Sequence, residues 1–250
     1  MKGPVRARIT VLVAAAVAAA IALAIGPITR APSFHRYADD RVLLGLAHAG
    51  DVLSNLGFVV IALALGWRWW RVRAGARVPW PLVLATITSV GLLGVGSGLY
   101  HLAPDDARLA LDFGPIGVAL MLLLACVVAD RQGPRAGAIT AFVGVVLALV
   151  AVTSWYVGGG TSGGDMRWYV VLQAAGVLLP AILVAVAPGQ IARAPIWIAL
   201  GLFVVARALA ARDAWWLEAI GVSGHSLKHV AASLAAGVAL HAVTSARAGA

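Results

Sequence analysis

Long apolar stretches separated by short polar ones set the organisation of this chain. Ile9 to Ile25 is an uninterrupted apolar run, and further apolar segments cover about His48 to Trp67, Pro81 to His101, Asp112 to Ala129, Ala136 to Val157, Trp168 to Ala187, Ile196 to Ala211, and a last one opening near His225 and ending at Val243. Each is close to the length of about 20 residues that a bilayer demands of a helix. The pattern predicts eight membrane-spanning helices and no separate soluble domain. The connections carry the expected punctuation: Pro188-Gly189 closes the sixth segment, and Gly158 to Gly164 reads as a flexible loop. Between Pro27 and Leu46 the chain is mixed and polar, with Arg30, His35, Arg36, Asp39, Asp40 and Arg41, which predicts an exposed loop with a short helix at the interface.

Composition agrees with the pattern. Hydrophobic residues make up 62% of the chain, charged residues 12%, and mean hydropathy is +0.94, which places it among integral membrane proteins. A net charge of +9 would suggest nucleic acid in a soluble protein. Here the basic residues lie mostly in short loops, where orientation in the bilayer explains them and no nucleic-acid partner is implied. Every second loop from the N-terminus gathers Lys2, Arg6, Arg8, Arg68, Arg71, Arg73, Arg77, Arg131, Arg135, Arg193 and Arg247, opposed only by Asp130. The other loops hold Asp39, Asp40, Asp105, Asp106, Asp165, Asp213 and Glu218. Both termini of this multi-pass protein are therefore expected in the cytoplasm. The basic start followed by an apolar run also describes a signal peptide. No clear small-x-small cleavage site precedes Pro27, so a retained anchor helix is expected. Trp67, Trp69, Trp70, Trp155, Trp168, Trp215 and Trp216 fall at expected helix ends, as an aromatic belt would place them. The single cysteine, Cys126, lies inside an apolar run and excludes a disulfide framework.

Candidate chemistry gathers at one end of these helices. His225 and His229 are four residues apart and share one helix face, a common arrangement of metal ligands. Ser97 and His101 have the same spacing at the end of the third segment, and Asp112 opens the fourth across a short connection, Leu102 to Leu111. The eight-helix count puts all five on the side away from the basic loops, with Asp51, Ser54 and Asn55. Ionisable groups at membrane depth are costly and usually face a bundle interior or cavity. Three imidazoles suit zinc, with an open fourth position for water. Asp112 could take that water's proton, and Ser97 could hydrogen-bond a developing oxyanion. Helix-end groups also lie near the depth of a lipid's amide or ester. Taken singly, the histidine pair could be interfacial, Ser54, Asn55 and Ser97 could be interhelical hydrogen-bonding groups, and Asp112 could favour a helix N-terminus. His35 and His48 lie in less distinctive contexts, His241 at the opposite end reads as structural or interfacial, and Lys228 is expected to point off the histidine face towards lipid headgroups.

Gly96-Ser97-Gly98-Leu99-Tyr100-His101, Asp112 eleven residues after His101, and His225-Ser226-Leu227-Lys228-His229 together resemble the alkaline ceramidase family, within the wider membrane-hydrolase group that includes the progestin and adipoQ receptors. Asp51-Val52-Leu53-Ser54-Asn55 is similar to the Ser-Asn motif of the family's first core helix. The resemblance runs from about Tyr37 to Val243. It implies an all-α, seven-helix zinc hydrolase core over residues 31–250, preceded by one additional transmembrane helix within residues 1–30. It further implies that His101, His225 and His229 bind Zn2+, that Asp112 acts on the bound water with help from Ser97, and that the substrate is a ceramide-like or other N-acyl membrane lipid. Tyr37 to Asp51 does not reproduce the acidic calcium-binding segment of eukaryotic members, and Phe113-Gly114-Pro115 departs from the acidic residue often found after the aspartate. The competing classes are a non-catalytic receptor or structural membrane protein with a stabilising zinc site, and a haem-binding electron carrier using facing histidines. No internal repeat points to a transporter.

Overall fold

In a computed structural model, residues 2–43, 45–159 and 164–247 are described. Residues 160–163, most of the expected glycine-rich loop, lie outside them. The described chain is helical, with α1 (Lys2–Ala24), α2 (Ala49–Ser54), α3 (Leu56–Val72), α4 (Trp80–Leu102), α5 (Asp106–Gln132), α6 (Pro134–Gly158), α7 (Arg167–Val186), α8 (Arg193–Ala210), α9 (Asp213–Ile220) and α10 (Gly224–Ser245). Eight spans among the described residues are long and apolar enough to cross a membrane, α2 and α3 together forming one of them. This is a multi-pass, all-α membrane protein.

The outward faces explain why. Leu12, Leu23, Leu63, Phe142, Leu147 and Val204 are exposed, an arrangement stable only against lipid. α1 is apolar all round and buries little beyond Ala7 and Ala22. It packs on α7 and α5. Asp165 ties its exit to the start of α7, accepting from the backbone N–H of Ile28 and of Arg167, each at 3.0 Å. Burial pushes the Asp165 carboxyl up, but those two N–H groups and the Arg167 guanidinium outweigh it and hold it below the usual carboxylate range.

Several boundaries differ from the pattern-based expectation. α5 begins six residues earlier than Asp112, because Asp105 caps it by accepting from the backbone N–H of Arg108 at 2.7 Å. The α4–α5 connection is therefore only residues 103–105, and Asp112 stands nearly two turns inside the helix rather than at its N-terminus. α3 continues to Val72, past Trp67. Trp69 and Trp155 are core residues at 1% and 2% exposure, so they leave the expected aromatic belt, whereas Trp67, Trp70, Trp168 and Trp215 remain exposed. Among the described residues the polar segment before α2 holds one 3-10 turn, Pro32–His35, and α9 lies outside the expected segments.

At the end carrying the basic loops, Asp130 is fully buried between Arg131 (2.7 Å) and Arg77 (3.4 Å) and accepts from the backbone N–H groups of Gln190 and Ile191. This network joins α5 to the segments before α4 and α8. Arg68 and His241 meet at 2.8 Å at the same end, consistent with a structural role for that histidine.

Candidate metal centre

The three histidines meet. α4 supplies His101 from its last turn, and α10 supplies His225 and His229 from its first two turns. One nitrogen from each ring lies within 4.8 Å of the others. The rings sit edge to face, with centroids 4.7 Å apart for His101 and His225, 4.8 Å for His101 and His229, and 4.7 Å for His225 and His229. His101 and His229 are 1% and 3% exposed.

Their chemistry fits a metal ion. Nε2 of His101 and Nε2 of His225 are 3.2 Å apart, close to the roughly 3.3 Å that two nitrogens about 2.05 Å from one tetrahedral zinc must adopt. His229 is oriented from behind. Ser54 donates to the Asp51 backbone carbonyl at 3.1 Å, leaving its oxygen, 2.9 Å from His229 Nδ1, to accept the ring N–H. Nε2 then carries the lone pair, is buried, and has no hydrogen-bond partner. A metal ligand wants that tautomer. The Asn55 amide nitrogen, which donates to the Asp51 carbonyl at 2.8 Å, lies 3.2 Å from the same Nδ1.

Close helix packing delivers the carboxylate. Gly96 faces α5 so tightly that a Cβ there would collide with the Leu111 carbonyl. That approach brings Ser97 into hydrogen-bonding reach of Asp112. The other oxygen, Asp112 Oδ1, is buried without a partner and lines the same cavity as the triad. α10 itself is locked by Asp51, whose Oδ1 accepts from Ser223 (2.9 Å) and Ser226 (2.7 Å), while Ser223 caps the helix. Asp213 of α9 accepts from the His225 backbone N–H at 2.7 Å and from that of Ala38 at 3.0 Å.

The loop before α2 roofs the triad. The Tyr37 ring packs 4.7 Å from His101 and 4.4 Å from His225, and its hydroxyl donates to Tyr100 at 2.7 Å. Burial, with Tyr100 beside it, pushes the Tyr37 phenol far up, so it stays neutral. Tyr100 in turn contacts His35 Nδ1 at 3.0 Å, and His35 Nε2 meets Asp106 at 2.9 Å. Arg30 also pairs with Asp106. Farther along the loop, the Arg41 guanidinium grips both oxygens of Asp39 at 2.7 Å and holds that carboxyl below the usual carboxylate range.

An apolar cavity of about 540 Å³ opens from the triad. It follows α4 from His101 back to Thr86 and α10 from His225 on to Leu240, in each case 15 residues and so about 22 Å of helix. Ala232, Ala235, Ala236 and Ala239 keep its α10 wall smooth. Lys228 does not point off to headgroups as its helical position suggested. Its Nζ turns inward to 2.8 Å from His225 Nε2 and lines the cavity.

Ser97, His101, Asp112, His225 and His229 thus share one cavity, and Ser54 and Asn55 stand directly behind it. Asp51, grouped with Ser54 and Asn55 by the sequence, holds α10 from behind the site. Tyr37 and Asp213 carried no signal by spacing, and Lys228 was expected to face headgroups rather than the cavity. Comparison with protein-family models and with curated proteins gives no match.

Proposed function

We propose that this chain is a zinc-dependent intramembrane hydrolase that cleaves the amide bond of a ceramide-like or other N-acyl lipid, as the alkaline ceramidases it resembles do. The observation that carries the reading is the convergence of His101, His225 and His229 beside an unpartnered Asp112 oxygen at one end of an apolar cavity. His101, His225 and His229 would hold the zinc ion, which would supply an activated water near neutral pH and a Lewis acid for the amide carbonyl.

The chain's own groups supply the rest. In this reading Asp112 Oδ1, buried without a partner, accepts a proton from water and returns it to the leaving nitrogen. Ser97 holds that carboxylate in position. The roof of Tyr37 keeps bulk water off the rings, and the alanine-lined groove takes the acyl chain. The balance is that of any amide hydrolysis. The oxygen of one water bonds to the carbonyl carbon, the C–N bond breaks with its electron pair on nitrogen, and the nitrogen takes both water protons, giving a carboxylate and an ammonium.

In this reading α1 is an addition to a seven-helix core, both termini face the cytoplasm of a bacterial inner membrane, and the triad lies beneath the opposite surface. The test is mass-spectrometric turnover of a panel of N-acyl lipids by the purified, zinc-loaded chain and by Asp112→Asn. Hydrolysis lost in the variant supports the reading. Bound zinc with no turnover of any lipid would point instead to a receptor or structural protein.

A further inference from the structure

The charge balance of the cavity narrows the substrate. Its lining holds two cations, Lys228 and Arg207, against one carboxylate, Asp112. Among the described residues neither cation is in an ion pair. Asp112 across the cavity, and Asp51 and Asp213 behind its lining, attract Lys228 without pairing with it. Lys228 donates only to His225, an atom any metal would claim. Arg207 is exposed in the last turn of α8, at the triad's end of the molecule, since the Leu209 carbonyl presses against Gly224 at the start of α10. One cation therefore stands beside the triad, and another, exposed, lines the same cavity. A cation at membrane depth without a carboxylate partner, as Lys228 is, is costly unless an anion completes it, whereas the exposed Arg207 can reach the interface.

We propose that the preferred substrate is an N-acyl lipid with an acidic group next to the amide nitrogen, an N-acyl amino acid being the simplest case, its carboxylate held by Lys228 and guided in past Arg207. This rests on the hydrolase reading above. A neutral N-acyl sphingoid base offers these cations nothing. An N-acyl amino acid puts its carboxylate one carbon from the amide nitrogen, within reach of an ammonium that already touches a triad histidine.

The test uses N-palmitoylglycine, its neutral carboxamide and free palmitate. Turnover is measured on the full-length, metal-loaded chain, and ligand-induced thermal stabilisation in the Asp112→Asn background, so that the ligand survives. The expected result is an acid-over-amide preference in kcat/KM of about 10–100-fold, the worth of a charge-assisted hydrogen bond. Greater stabilisation by the acid than by the amide or palmitate should accompany it. Lys228→Met should erase both preferences and Lys228→Arg should keep them. Equal turnover of acid and amide, or a Lys228→Met variant that loses both in the same proportion, overturns the proposal and leaves the hydrolase reading standing. Stabilisation by palmitate equal to that by N-palmitoylglycine assigns the cations to the fatty-acid carboxylate and also overturns it. Acid-selective stabilisation without turnover of either amide sinks the hydrolase reading, and this substrate assignment with it.

Discussion

The hydroxyl of Ser54 lies 2.9 Å from Nδ1 of His229, the ring nitrogen that faces away from the other two histidines. This contact fixes which nitrogen of His229 is free to bind a metal. Its removal should therefore weaken metal binding without touching a ligand. Ser54→Ala is expected to lower zinc affinity by about 10–100-fold, the usual effect of losing a ligand's supporting hydrogen bond. Competition with a chromogenic chelator measures it. Unchanged affinity would mean that the ring is held by packing alone.

Gly96 sets the distance between α4 and α5, and hence between Ser97 and Asp112. A methyl group at Gly96 meets the Leu111 backbone carbonyl, which cannot rotate aside, whereas one at Gly98 meets nothing closer than the Val52 carbonyl at 3.8 Å. Gly96→Ala should cost about 1–3 kcal/mol or more through overpacking. Gly98→Ala should be neutral or slightly stabilising. Thermal melts of both variants in one detergent give the comparison. Equal melting temperatures would remove close approach as the reason for Gly96.

Much of this was legible in the amino-acid pattern, for identifiable reasons. Lipid on the outside forces long apolar runs, so the eight spans could be read directly. Histidines are so out of place in those runs that the 101, 225 and 229 set stood out. What failed was information about direction and capping. Asp105 follows Ala-Pro and precedes three helix-compatible residues, a cap signal that would have moved the start of α5 six residues earlier and placed Asp112 inside the helix. The inward turn of Lys228 could not be read from one helix, because the cavity it enters is built by several. Trp69 and Trp155 sit at expected interface depths, but their burial depends on which neighbours pack there.

The buried network at the other end offers a test of folding alone. Asp130 and Arg131 are both essentially inaccessible and paired at 2.7 Å. Asp130→Ala leaves a buried guanidinium with only the Ile191 carbonyl to satisfy it, and should destabilise the protein by about 3–5 kcal/mol. Asp130→Leu combined with Arg131→Met should recover much of that loss. Denaturation of the two variants decides the matter, and comparable losses in both would show that the charges themselves are not the issue.

The pair Asp39 and Arg41 gives the roofing loop a defined pH response. In the folded chain Asp39 is held below its ordinary value, whereas in an unfolded chain it titrates near 3.9. A depressed carboxyl contributes stability that is whole above the unfolded value and fades as pH falls through the folded one. Wild type should therefore melt above Asp39→Asn at pH 6–7, with the gap closing below about pH 4. A gap that persists unchanged at pH 3 would assign the effect to something other than this ion pair.

Whether the three imidazoles hold an ion is the question on which the rest turns. Elemental analysis of the detergent-purified, full-length chain answers it, alongside His101→Ala, His225→Ala and His229→Gln variants checked for retained helix content. The expected result is about one zinc per chain in the wild type and little in any variant. A wild-type protein free of transition metal after purification in zinc-containing buffer, or variants that keep the ion, would contradict it.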